Sequence, residues 1–103
     1  MRTFEMTDKR AGILHALYLT LLDRIQNPRE GSYTNKLLSG GVDRIGKKVI
    51  EEAAEVVLAA KNNDAKEVRF EAADLMYHLI LLMSQQGVTL DDLYAELKNR
   101  HGG

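Results

Sequence analysis

Between Phe70 and Met83 the only polar side chains are Glu71, Asp74, Tyr77 and His78; everything else is alanine, leucine, isoleucine, methionine or phenylalanine. No two-residue alternation runs through this stretch, so it reads as a helix. A helix apolar on nearly every side is normally buried over most of its surface. At about 100° per residue, Glu67, Glu71, Asp74 and His78 fall on one stripe about 60° wide. Unpaired buried carboxylates are costly, so a buried helix with a single acidic stripe needs something cationic facing that stripe. This requirement limits both the fold and the chemistry of the chain.

The remaining segments are helical too. Ile13, Leu14, Leu17, Leu21 and Ile25 recur at three- and four-residue spacing, which predicts a first helix from about Asp8 to Gln26. Pro28 sits in the loop "QNPREGS", and "SYTNKLL" suits a short helical turn with Ser32 as its cap, ended by "SGG" at 39–41. A second long helix runs from about Asp43 to Lys61 and stops at "NND". Asp64 with Glu67 three residues later is a capping-box pattern, opening a third helix that lasts to Gln86 with Gly87 just past its end. Thr89 and Asp92 repeat the pattern and open a last helix to about Arg100. The expectation is an all-α fold, four main helices plus a short helical turn, in a single domain over residues 1–103.

The second helix carries carboxylates of its own. Ile45, Val49 and Val56 lie within about 40° of one another on the helical wheel, and Glu52 falls among them. Glu55 lies about 80° to one side, next to Lys48, and Glu51 is further out. The short "NND" connection makes the second and third helices antiparallel neighbours about 8–10 Å apart. Glu52 and Glu55 then face Glu71 and Asp74. Four oxygen ligands from two facing helices suit a hard cation, Mg²⁺ or Mn²⁺, better than zinc. The competing view makes these groups surface ion pairs with Lys47, Lys48 and Arg69. Taken alone, Glu51 and Glu67 are read that way.

Composition narrows the partners. A formal net charge of −1 gives no general attraction to nucleic acid or an anionic membrane. The absence of cysteine removes disulfides and thiolate metal sites. "AGILHALYLTLL" faintly mimics a signal peptide, but His15 and Thr20 interrupt it and no small-residue cleavage site follows. No apolar run approaches the roughly 18 residues of a membrane span. A cytoplasmic location is expected.

"EEAAE" at 51–55 and "EAAD" at 71–74 match the ExxE…ExxD signature of the all-α nucleoside-triphosphate pyrophosphohydrolases, which include the MazG proteins. With "SYTNKLLSGG", "KKVIEEAAEVVLAAKN", "EAADLMYHLILLM" and "GVTLDDLYAELKNRH", the chain resembles the phosphoribosyl-ATP pyrophosphatase family over about residues 16 to 101. One position departs: Ile50 stands where the family usually has glycine, with Gly46 a turn earlier. The residues before Ala11 lie outside the matched region and are assigned no role.

The resemblance implies Mg²⁺-dependent hydrolysis of 1-(5-phospho-β-D-ribosyl)-ATP to the corresponding AMP compound and pyrophosphate, the second step of histidine biosynthesis. It implies a homodimer that completes the helical packing. It also implies a stand-alone enzyme, since the cyclohydrolase domain fused to it in some organisms has no room in 103 residues. In this scheme Glu52, Glu55, Glu71 and Asp74 hold the metal, and Glu51 or Glu55 accepts the proton of the attacking water. Lys36, Arg44, Lys47 and Lys48 are candidates for the substrate's phosphates and Tyr33 for its adenine; His78, counted with the substrate-binding residues, is a hydrogen-bonding partner of the site or an interface residue. Two other functions fit the same residues: a MazG-like enzyme clearing noncanonical nucleotides, and a non-enzymatic helical dimerisation module with acidic stripes paired to basic groups.

Overall fold

A computed structural model describes residues 2–101, with side chains from Gly12 onward. Five helices follow in order: α1 (Arg2–Gln26), α2 (Tyr33–Ser39), α3 (Gly41–Lys61), α4 (Ala65–Gln85) and α5 (Leu90–His101). No strand forms among the described residues.

The helix ends follow from local chemistry. Ser32 caps α2, its side chain accepting from Asn35 N–H. Asp64 caps α4 by accepting from Glu67 N–H at 3.1 Å. This is half of a capping box, because the Asp64 N–H is used by the Ala59 carbonyl. At α5 the box is complete: Asp92 N–H donates to Thr89 Oγ1 at 3.0 Å and Thr89 N–H donates to Asp92 Oδ2 at 2.9 Å. Gly87 takes the left-handed conformation, φ 74°, that ends α4 without a Cβ clash.

One boundary differs from the sequence expectation. The first helix begins at Arg2, not near Asp8. Asp8 is a good cap residue, but residues 2–10 contain no glycine or proline, so nothing breaks the helix ahead of it. The side chains of this extension lie outside the described residues.

α3 and α4 form the main antiparallel pair, α1 packs on α4, and α2 bridges α1 and α3. The core lies at one end of the α3–α4 hairpin, where Leu21, Leu37, Ile45, Ile80 and Leu81 meet. Toward the other end, the buried hydrophobic side chain is Ala59. Phe70 is 61% exposed there, Ile50, midway along α3, is 73% exposed, and Val57, Leu58 and Met76 are open to solvent as well. The radius of gyration is 15.3 Å, against about 13 Å for a compact chain of this length. The all-round burial that the composition of α4 calls for is therefore not met within one chain.

Candidate active site

The carboxylates sit midway along the hairpin, just beyond the core. Glu52 is 8% exposed, in keeping with its place in the apolar arc of α3. One carboxylate oxygen each from Glu52, Glu71 and Asp74 lie within 4.8 Å of one another. Glu71 and Asp74 are half-buried, one helical turn apart on α4. Among the described residues, no lysine or arginine forms an ion pair with any of the three. Nor, among the described residues, do Lys47, Lys48 or Arg69 form the ion pairs that the competing view required and that were expected for Glu51 and Glu67.

The electrostatics agree with this crowding. The Glu71 carboxyl is raised above its ordinary 4.5, first by loss of hydration and then by the charges of Glu55, Glu67, Asp74 and Glu52. Glu55 is exposed and acts on Glu71 through its charge, but it is not one of the three whose oxygens converge. Glu67 stays at the α4 N-terminus.

His78, one turn past Asp74, is 4% exposed. Its Nδ1 lies 2.5 Å from Glu52 Oε1 and 3.0 Å from the Asp74 carbonyl oxygen. Its Nε2 lies 2.8 Å from the Tyr33 hydroxyl. The ring is edge-on to both Tyr33 and Tyr77, at centroid separations of 5.8 and 5.1 Å. Next to this contact, Thr34 Oγ1 is hydrogen-bonded to the Tyr77 hydroxyl. Consecutive residues of α2, Tyr33 and Thr34, thus grip consecutive residues of α4, His78 and Tyr77.

A cavity of about 470 Å³ opens over the group, lined by Tyr33, Lys48, Glu52, Asp74, Tyr77 and His78. The Tyr33 hydroxyl is held protonated by burial, which outweighs the opposing Lys48 charge and is reinforced by Glu52, Tyr77 and Asp74. A second, apolar cavity of about 390 Å³ lies along α3, lined by Val42, Asp43, Gly46, Lys47, Ile50 and Glu51. The structure therefore separates neighbours in sequence: Lys48 and Glu52 face the carboxylate cavity, Lys47 and Glu51 the other. Arg44 donates from Nη1 to the Lys36 carbonyl oxygen at 2.9 Å, and neither residue lines the carboxylate cavity.

Sequence reasoning passed over Thr34 and left Tyr77 without a role. The signal for Tyr77 was available, as one of four polar side chains in an apolar run. Thr34 lay within the matched segment "SYTNKLLSGG", but a threonine in the first turn of a short helix suggests no role of its own.

A sequence profile for phosphoribosyl-ATP pyrophosphohydrolase matches residues 14–101. The chain is 50% identical over 90 residues to the phosphoribosyl-ATP pyrophosphatase of Streptococcus thermophilus, covering 87% of this chain and 86% of that one. It is 51% identical over 90 residues to the protein of the same name from Listeria monocytogenes, with the same coverage of 87% and 86%. The histidine biosynthesis bifunctional protein HisIE of Thermoanaerobacter pseudethanolicus is 50% identical over 88 residues, 85% of this chain but 41% of that protein. The chain spans less than half the length of such bifunctional relatives and most of the length of the shorter ones.

Proposed function

Because this chain belongs to the phosphoribosyl-ATP pyrophosphohydrolase family, we propose that it hydrolyses phosphoribosyl-ATP to phosphoribosyl-AMP and pyrophosphate, with Mg²⁺ as cofactor. The observation that carries this reading is the convergence of Glu52, Glu71 and Asp74 with no lysine or arginine paired to them among the described residues. Magnesium takes oxygen ligands at about 2.0–2.1 Å, so opposite ligands lie about 4 Å apart. About 4 Å is thus the widest separation of any two ligands, and three oxygens gathered within 4.8 Å of one another are near that limit. Glu52, Glu71 and Asp74 would hold the ion, Glu55 would add a fourth carboxylate, and Mn²⁺ is a fitting substitute.

When bound, the ion supplies charge neutralisation of the triphosphate and polarises the α–β anhydride. The chain's own residues do the rest. Lys48 is the cation lining the cavity and meets the phosphates there. Lys36, Arg44 and Lys47 do not line it and have at most an outer role. Tyr33 offers a half-exposed ring for the adenine. A water oxygen attacks the α-phosphorus, the bond to the bridging oxygen breaks, and its electron pair leaves with pyrophosphate. Glu55 is favoured over Glu51 to take the water's proton, since Glu51 faces the apolar cavity.

The uncovered apolar surface supports a homodimer in which α3 and α4 pack against a second copy. No helix among the described residues is long and apolar enough to cross a membrane.

The test is pyrophosphate release from phosphoribosyl-ATP, with and without Mg²⁺, beside a panel of deoxynucleoside triphosphates. Metal-dependent turnover of phosphoribosyl-ATP alone is expected. Preference for the deoxynucleotides would overturn the substrate assignment in favour of a nucleotide-clearing enzyme.

A further inference from the structure

Both neighbours of His78 Nδ1, the Glu52 carboxylate and the Asp74 carbonyl, are acceptors and cannot donate. The hydrogen must therefore be on Nδ1. In the neutral ring, Nε2 is left as an acceptor, and the Tyr33 hydroxyl is the donor that reaches it. A directed chain results: Tyr33 O–H to His78 Nε2, then His78 Nδ1–H to Glu52 Oε1. Every polar atom of the imidazole is used inside the protein, so the ring has none left for substrate.

Glu52 is the most buried of the converging carboxylates, set among the valines of α3. Without a partner its side chain could turn among several rotamers. The His78 N–H engages Oε1, while Oε2 makes no hydrogen bond to the protein among the described residues. The geometry points to Tyr33 and His78 as positioning residues that hold Glu52 in the one orientation in which it can join Glu71 and Asp74 around a divalent cation. This inference rests on the metal reading above and adds to it a link between α2 and the ligand set. The Tyr77–Thr34 hydrogen bond beside it fixes α2 at the register that places Tyr33 against the imidazole. Groups that orient a metal ligand typically matter by 10- to 100-fold in metal affinity when removed.

The experiment measures Mn²⁺ binding alone, by the loss of the free-ion electron paramagnetic resonance signal, in the full chain and in His78→Leu, His78→Asn, Tyr33→Phe and Tyr33→Phe/His78→Asn. Circular dichroism checks folding. His78→Leu is expected to weaken Mn²⁺ by about 10- to 100-fold, and His78→Asn, whose amide can still donate to Glu52, to recover part of that loss. Tyr33→Phe keeps the ring and should weaken Mn²⁺ by a few-fold. It should add nothing in the His78→Asn background, because Tyr33 acts through the imidazole. If His78→Leu does not fold, the Tyr33→Phe pair of measurements decides. Unchanged Mn²⁺ affinity in folded His78→Leu, or equal losses from Tyr33→Phe in both backgrounds, would overturn the relay while leaving the metal site in place. A wild-type chain that binds no Mn²⁺ removes the metal reading and the relay together.

Discussion

Glu52 of α3 and Asp74 of α4 offer carboxylate oxygens within 4.8 Å of one another, with Glu71 as the third member of the group. At an effective dielectric near 20, two unit negative charges about 5 Å apart repel by roughly 3 kcal/mol. The antiparallel hairpin nonetheless holds all three in place, and among the described residues no lysine or arginine is ion-paired to them. His78 accounts for one oxygen of Glu52 only. On the metal reading proposed above, a bound divalent cation would offset this repulsion.

Removing one of these charges at nearly constant shape is therefore the direct test of the site. Glu52→Gln and Asp74→Asn should each lower turnover of phosphoribosyl-ATP by about 10²–10³-fold, the range for losing one group that stabilises developing charge. Helix content should not change. Glu67→Gln, at the N-terminus of α4 and outside the converging group, should change turnover by less than about threefold. Wild-type turnover in either of the first two variants at saturating Mg²⁺ would remove that residue from the ligand set.

The Thr34–Tyr77 hydrogen bond should show an asymmetry in stability. Thr34 is 1% exposed, whereas Tyr77 borders the cavity. Tyr77→Phe strands a buried hydroxyl and should cost about 1–3 kcal/mol. Thr34→Val leaves the Tyr77 hydroxyl free to turn toward cavity water and should cost under about 1 kcal/mol. Urea denaturation of the two variants measures both, and equal losses would mean that Tyr77 is as sealed from water as Thr34.

How much of this was legible without coordinates depended on the kind of signal. Helix type and order followed from three- and four-residue apolar spacing, and the α5 boundary from the Thr89–Asp92 pair, whose reciprocal bonds are formed. The juxtaposition of Glu52 with Glu71 and Asp74 followed from wheel angle plus one short connection. Glu55 was placed in the same group by its spacing and by the matched motif despite its offset of about 80° on the wheel, and it is not among the three whose oxygens converge. The split between Lys47 and Lys48 was on the same wheel, since consecutive residues point about 100° apart and Lys48 falls about 40° from Glu52. The hold of Tyr33 and Thr34 on α4 depends on how α2 docks, and nothing local to residues 32–39 encodes that.

Assembly can be tested on the uncovered half of the hairpin. Phe70, Val57 and Leu58 are more than half exposed, and large apolar side chains left open to water along one hairpin mark an interaction surface. Sedimentation at low micromolar concentration should show a dimer or a higher homo-oligomer. Phe70→Asp with Val57→Asp should shift it toward monomer and lower the melting temperature. A wild-type chain that sediments as a stable, folded monomer would contradict this.

The last prediction joins pH to metal through Glu71. Its carboxyl is raised above the ordinary 4.5 by lost hydration and by Glu55, Glu67, Asp74 and Glu52. A raised value means that the folded chain binds more protons than the unfolded one as pH climbs past 4.5. The stability contributed by this group is thus fully present below 4.5 and is lost as pH rises through the folded value. Metal-free protein should melt at progressively lower temperature across that window, and Glu71→Gln should flatten the decline because it cannot ionise. Mg²⁺ replaces the missing protons, so it should restore stability near neutrality by about 2.7 kcal/mol at a hundredfold excess over its dissociation constant. The same addition should do much less for Glu71→Gln, which has lost a ligand charge. Melting curves from pH 4.5 to 8, in EDTA and in Mg²⁺, measure all four cases. Curves that superimpose with and without Mg²⁺ would rule out a metal at this group and return the acidic stripe to a structural role.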